Sequence, residues 1–273
     1  MSSHTQNIYD NTTFFTAYST LPRSQGGLSS APEWPVLRNM VLDRPPSTNP
    51  KNDLTGQCIL DLGCGYGWFA RWARDSGGSF VRAVDISEKM IGRAKEFEFE
   101  TGVRTETAGV ISFGKCDIES MALSERERGS YDVVHSSLTF HYIEDLPRLY
   151  REIHAALRKG GRLVFSVEHP VYSAPVRPGP DWKVFQVDGE EMKAWPLNCY
   201  SDEGWRVSSW LGVDGVRKFH RTVESYVTLL LESGFVLTGL KDWVPSMEDV
   251  SEHPEWKDER HRPYFLIISA EAR

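Results

Sequence analysis

The run Ile59-Leu60-Asp61-Leu62-Gly63-Cys64-Gly65-Tyr66-Gly67-Trp68-Phe69-Ala70-Arg71-Trp72-Ala73 decides the reading of the chain. A short apolar segment, Ile59 to Leu62, ends in three glycines at alternate positions, and a helix-like segment follows directly. Strand, tight turn and helix in that order form the opening unit of a doubly wound α/β fold. The glycines permit positive φ and remove the Cβ atoms that would hold a ligand away from the backbone. The helix behind them aims its free N–H groups and positive dipole end at the contents of the turn.

Two details select the ligand. The dinucleotide pattern G-x-G-x-x-G needs its third glycine at position 68, where the helix packs closely on the strand. This chain has Trp68 there. Asp61 stands just before the turn, where its charge repels a pyrophosphate and suits a ligand with a positive end and no phosphate. S-adenosylmethionine carries a sulfonium and an ammonium.

Leu60-Asp61-Leu62-Gly63-Cys64-Gly65-Tyr66-Gly67 resembles motif I of the class I S-adenosylmethionine-dependent methyltransferases, in particular the ubiquinone-biosynthesis-type (methyltransferase type 11) branch. The resemblance runs from about Tyr9 to the C-terminus. It implies S-adenosyl-L-methionine as cofactor and S-adenosyl-L-homocysteine as product. It also implies a mainly parallel seven-stranded sheet with an antiparallel C-terminal hairpin.

Composition sets the outer bounds. The 273 residues suit one domain with an insertion, and 40% hydrophobic and 25% charged residues are ordinary values for a globular protein. A net charge of -7 argues against a nucleic acid partner. No apolar run is long enough to span a bilayer, and Met1 to Asn11 lacks a signal-peptide core, so a cytoplasmic protein is expected. Cys58, Cys64, Cys116 and Cys199 form no C-x-x-C pair, so no metal site is expected and the thiols are read as reduced.

Four segments follow. Residues 1–54 read as a helical cap and linker: a helix over Thr12–Thr20 closed by Pro22, a second over Ala31–Val41, and a loop over Arg44–Asp53. Residues 55–170 read as the α/β core. Its strands lie at 57–62, 79–86, 111–116, 131–137 and 162–168, and its helices at 67–76, 88–97 (with Ser87 as N-cap) and 146–158. Residues 171–220 are rich in Trp and Tyr, with turn signals at Asp188-Gly189 and Asp214-Gly215, and read as an inserted lid of antiparallel strands. Residues 221–273 complete the core with a helix at 222–233 and strands at 235–243 and 264–270.

In open α/β sheets the ligand lies outside the carboxyl ends of the strands. Gly63, Gly65 and Gly67 shape the turn, with Asp61, Cys64 and Ser136 beside it. Asp85 ends strand two, eighteen positions after Gly67, and is expected to accept hydrogen bonds from vicinal ribose hydroxyls. Ile86 and Met90 are expected against the adenine. Asp117, at the end of strand three, is expected to accept from its amino group, with Ile118 at the ring edge. By analogy with N-terminal helices of the family, Tyr18 and Arg23 meet the methionyl carboxylate; Tyr18 reads equally as a packing residue, and Phe14 chiefly as one.

After strand four the chain reads Ser136-Ser137-Leu138-Thr139-Phe140-His141-Tyr142. This is neither the N/D-P-P-Y/F signature of amino-methyltransferases nor the Pro-Cys of cytosine enzymes, and what remains resembles enzymes that act on free small molecules. His141 and His169 are the candidate bases. Tyr172, Trp182 and His220 are the candidate acceptor contacts, with Trp195, Trp205 and Trp210 as further aromatic walls. Two functions are carried forward: a methyltransferase acting on oxygen or nitrogen of a small molecule, and a non-catalytic S-adenosylmethionine-binding protein with a regulatory or scaffold role.

Overall fold

The computed structural model describes residues 5–42, 54–101 and 109–273. The linker expected at 44–53 lies outside them. The N-terminal part forms three helices, α1 (Thr12–Ser19), α2 (Pro22–Gly26) and α3 (Trp34–Val41). The core follows as β1 (Cys58–Leu62), α4 (Trp68–Asp75), β2 (Phe80–Asp85), α5 (Glu88–Thr101), β3 (Val110–Lys115), β4 (Tyr131–Ser137), α6 (Leu146–Ala156) and β5 (Leu157–Glu168). Then come α7 (Pro170–Ser173) and two hairpins, β6 (Lys183–Val187) with β7 (Glu190–Ala194) and β8 (Gly204–Trp210) with β9 (Val213–His220). The chain closes with α8 (Val223–Glu232), β10 (Phe235–Trp243), α9 (Met247–Glu252) and β11 (Phe265–Ala272).

The large sheet has seven strands in the order β10-β11-β5-β4-β1-β2-β3. β11 runs opposite to the other six strands. This is the doubly wound class I methyltransferase architecture. The parallel central strands are covered on both faces, which is why they read as continuous apolar runs. Alternation sorts their side chains. Leu60, Leu62, Val134 and Phe165 face a core built with Leu149, Tyr150 and Ile153 of α6 and Tyr226 of α8. Ile59, Val133 and Val164 face the other, with Phe69, Ala70 and Ala73 of α4 and Leu37 and Val41 of α3. Each fully buried Leu, Ile or Phe is worth about 1.5–3 kcal/mol.

The local signals act as their chemistry dictates. Asp145 caps α6 by accepting from the Arg148 N–H, and Thr222 caps α8 through the Ser225 N–H. Ser87 caps α5 through the Met90 N–H at 3.1 Å. Four boundaries differ from expectation. Pro22 opens α2 instead of merely closing α1, because its fixed φ suits a first helical turn. The second helix begins at Trp34, since Ala31 is extended. Leu157 is already extended (φ -74, ψ 140), so β5 starts five residues before Arg162. The second hairpin turns at Leu211-Gly212, both at positive φ, and Asp214-Gly215 lies within β9.

The N-terminal segment ties the core to the second hairpin. Asp10 accepts from the Ser87 hydroxyl and from the N–H groups of Glu88 and Lys89 at the start of α5. Gln6 donates to the Gly215 carbonyl (2.8 Å) and accepts from the Arg217 N–H (2.9 Å). Ile8 and Phe14 bury themselves against Val216, with Tyr9, Tyr18 and Trp210 around them. None of the helices among the described residues is long and apolar enough to cross a membrane.

Candidate functional site

A cleft of about 1160 Å³ opens where the carboxyl ends of β1, β2, β4 and β5 meet the N-terminal segment and the second hairpin. It is larger than the roughly 300–1,000 Å³ of a single-ligand pocket. One half is built by the glycine turn. Gly63 has φ +75, and a Cβ there would stand 2.1 Å from the Thr139 hydroxyl. A Cβ on Gly65 would meet no atom within 4 Å, so the inner side of the turn is open to the cleft. Gly67, at φ +73, occupies the cap position of α4, where a Cβ would strike the Phe113 ring. Trp68 packs instead against Gly27, which has room for it only because it lacks a side chain.

The turn is held by Asp85. Its Oδ2 accepts from the Gly65 N–H and its Oδ1 from the Ser87 N–H, each at 2.9 Å. Burial pushes this carboxyl up to about 6, although both bonds pull it down. Asp117 accepts from the Glu119 N–H and lines the cleft with Ile86, Met90 and Ile118.

Behind the turn lies a second cavity of about 100 Å³, lined by Tyr18, Arg23, Glu33, Asp61, Cys64 and His135 among others. Asp61 and His135 are register partners on adjacent strands, so they share a face and bond at 2.9 Å. His135 also stacks on Phe69 at 3.5 Å. Arg23 pairs with the fully buried Glu33. Asp61 Oδ2, Glu33 Oε2 and His135 Nε2 are buried without a protein partner. A buried polar atom left this way costs about 1–3 kcal/mol, so the cavity calls for a polar occupant. Carboxylate oxygens beside an arginine suit an ammonium and a carboxylate together, as at the methionyl end of S-adenosylmethionine. The open turn suits its nucleoside.

The other half of the cleft carries His141, Tyr142, Glu168, Tyr172, Lys218 and Tyr9 against walls that include Trp205 and Trp210. Lys218 pairs with Glu168, and its ammonium lies 4.9 Å over the Trp210 ring. Although burial favours the neutral acid, Lys218 outweighs it and holds the Glu168 carboxyl below its usual range. Tyr9 and Tyr142 join hydroxyls at 3.2 Å.

His141 is 3% exposed, and its Nδ1 accepts from the Glu168 N–H at 3.3 Å. Burial lowers its pKa to about 4, so the ring is neutral. With Nδ1 accepting, the proton sits on Nε2. His141 therefore presents a donor, which corrects its expected role as a base.

Five expected site residues, Gly67, Ser136, His169, Trp182 and His220, line neither cavity, and Asp61 and Cys64 line only the second. The second candidate base, His169, caps α7 through Nδ1, which accepts from the Val171 N–H, and Nε2 bonds Asp242 at 2.9 Å. His220 accepts from the Ser173 hydroxyl and donates to the Tyr200 carbonyl, so both nitrogens are spent. Ser136 is fully buried and donates to the Leu62 carbonyl; alternation puts Ser137 on the cleft instead. Trp182 packs edge-on to Trp195 at 5.5 Å, and both flank the Arg262 guanidinium. We expect His169→Ala to lower stability by about 1–2 kcal/mol, the scale of a lost cap and hydrogen bond. Its affinity for S-adenosylhomocysteine should stay within threefold by calorimetry, and a tenfold loss would return His169 to the site.

Sequence reasoning missed Glu168, Lys218 and the excursion between β10 and β11. Glu168 ends β5, and that position was signal enough. Lys218 meets it across fifty residues, which no local pattern announces. The excursion supplies Trp256 and Tyr264 to the cleft and Arg262 to the aromatic cluster.

A family model for methyltransferase domains matches residues 60–165. The crystal structure of an S-adenosylmethionine dependent methyltransferase from Mesorhizobium loti is 40% identical and covers 90% of this chain and 100% of its own, with a TM-score of 0.75. A Haemophilus influenzae protein of uncharacterised function is 31% identical over 96% of each chain. The malonyl-[acyl-carrier protein] O-methyltransferase of Erwinia pyrifoliae is 35% identical over 40% of this chain and 36% of its own length.

Proposed function

The chain belongs to the S-adenosylmethionine-dependent methyltransferases, and from that premise we propose that it methylates an oxygen of a small, largely apolar acceptor. The observation that carries this reading is the continuity of one cleft, from the glycine turn and Asp85 to the polar group of His141, Glu168 and Lys218 inside aromatic walls. S-adenosylmethionine supplies a methyl group already activated by its sulfonium. Asp61, Gly63, Gly65, Asp85, Asp117, Tyr18 and Arg23 would hold it.

The remaining task is alignment and exclusion of water. Tyr172, Trp205 and Trp210 provide the dry wall, and the His141 Nε2–H fixes the acceptor by a hydrogen bond. The malonyl-[acyl-carrier protein] O-methyltransferase, similar over the core, supports oxygen as the target. We read 1–54 as the cap over the cofactor, 55–170 and 221–273 as the core, and 171–220 as the acceptor lid. The net charge of -7 favours a free small molecule over nucleic acid, and four unpaired cysteines accord with the cytoplasm.

The test is turnover with S-adenosylmethionine and a small-metabolite extract, following S-adenosylhomocysteine release. His141→Leu should keep cofactor affinity within threefold and lower turnover by about 10–100-fold, the worth of one buried hydrogen bond to a reacting group. His141→Asn, which keeps a donor, should recover part of it. Parental turnover in His141→Leu would remove the histidine from the acceptor site.

A further inference from the structure

We propose that the acceptor is an organic acid that arrives ionised and is methylated on its carboxylate, with Lys218 as the residue that reads its charge. The inference rests on the methyltransferase reading above and names its substrate class. Its first support is the charge of the acceptor half. Lys218, Arg206 and Lys183 face Glu168 and Asp181 there. Glu168 is matched by Lys218, and Asp181 lies at the exposed rim beside Lys183. The Arg206 guanidinium bonds the carbonyl oxygens of Ala174, Cys199, Asp202 and Gly204, and the nearby Asp202 carboxylate offsets its charge from outside the cleft lining. A sulfonium adds one more positive charge to the same space. An anion entering there balances the site, whereas an ammonium adds to the excess.

The second support is the state of the groups that might take a proton. His141 presents a donor, and His169 and His220 have both nitrogens engaged. Burial pushes the Tyr142 and Tyr172 phenols up. Glu168 is tied to Lys218. A hydroxyl or ammonium acceptor must lose a proton on methylation, and this wall is poorly equipped to take it. A carboxylate has none to lose at neutral pH. One oxygen lone pair forms the new O–C bond to the methyl carbon, and the carbon–sulfur bond breaks with its pair left on sulfur. A carboxylate and a sulfonium thereby become a neutral methyl ester and a neutral thioether. Lys218 has three donors and one hydrogen-bond partner, Glu168, beside its contact with the Trp210 ring, which leaves N–H groups for the acid's oxygens. The aromatic walls suit an apolar body behind it.

The experiment uses the full chain and S-adenosylmethionine labelled in its methyl group. A small-metabolite extract is split by ion exchange into anionic, neutral and cationic fractions. Label should pass to the anionic fraction, in a product that has lost one negative charge and releases methanol in mild alkali. Lys218→Met should raise the acceptor KM at least tenfold with S-adenosylhomocysteine affinity unchanged, and Lys218→Arg should restore most of it. Because Lys218→Met strands Glu168, the Glu168→Gln/Lys218→Met double variant serves if the single one does not fold. Label from the neutral or cationic fraction, or an alkali-stable product, overturns the proposal, as does a parental acceptor KM in the double variant. The absence of label in every fraction, with S-adenosylmethionine still titrating by calorimetry, would instead bring down the small-molecule reading beneath it.

Discussion

Asp85→Ala should weaken S-adenosylhomocysteine binding by about 100-fold, as expected when hydrogen bonds to a charged group worth roughly 1.5–3 kcal/mol are removed. Two losses combine. The carboxylate ends β2 at the cleft, where we propose that it accepts from the cofactor, and it also holds the Gly65 and Ser87 N–H groups that shape the turn. Asp85→Asn should do little better, since an amide can accept at only one of those two positions. The same residue predicts a pH dependence. Its folded pKa, about 6, lies above the ordinary 3.8 because of burial. The native apoprotein therefore holds this proton more tightly than the unfolded chain. Through this group, stability is highest below pH 3.8, falls as pH rises towards 6, and is level above it. Binding runs the other way, because the acceptor is the ionised form. Affinity should be constant between pH 7 and 8 and fall by about tenfold per unit below about pH 6. Calorimetric titrations across that range check it, and a flat profile in the parent protein would show that Asp85 is not the ionised acceptor.

Glu33→Ala should lower the stability of the apoprotein by about 2–3 kcal/mol, the cost of stranding one member of a buried ion pair, reduced for an arginine that keeps some solvent contact. Glu33 has no solvent exposure, while the Arg23 side chain retains 25%. Without Glu33, the burial that works against the guanidinium's charge loses its largest opponent. Arg23 lines both cavities, so the variant should also bind S-adenosylhomocysteine more weakly. Urea denaturation reads the first effect and calorimetry the second. An unchanged denaturation midpoint would mean that Arg23 finds another counterion.

What could be read in the sequence divides along physical lines. Ile59 to Ala73 is a local code: strand, glycine turn and helix are neighbours in the chain, and nothing distant is needed to recognise them. Asp85 and Asp117 were legible for the same reason, since a strand end in this architecture is a place at the cleft. The misreadings share a cause. His169, His220 and Ser136 were placed near the cleft by their position along the chain, but the face a side chain takes and the group that claims its donors depend on parity and on distant partners. Ser136 and Ser137 differ by one residue, hence by one face of β4. His169 is engaged by Asp242, seventy-three residues away. The Glu168–Lys218 pair and the Arg262 cluster are long-range in the same sense, joining segments whose meeting only the folded chain decides.

The strap formed by Gln6, Ile8, Tyr9 and Asp10 imposes an order on biosynthesis. Gln6 leaves the ribosome some 210 residues ahead of Gly215 and Arg217, the groups it will bond. At about 5–20 residues per second, that is a wait of roughly 10–40 s. Through that interval Ile8 and Phe14 have no Val216 to bury against. That side of the cleft is thus closed only once the second hairpin has been made, and until then Ile8 and Phe14 are apolar groups without their partner.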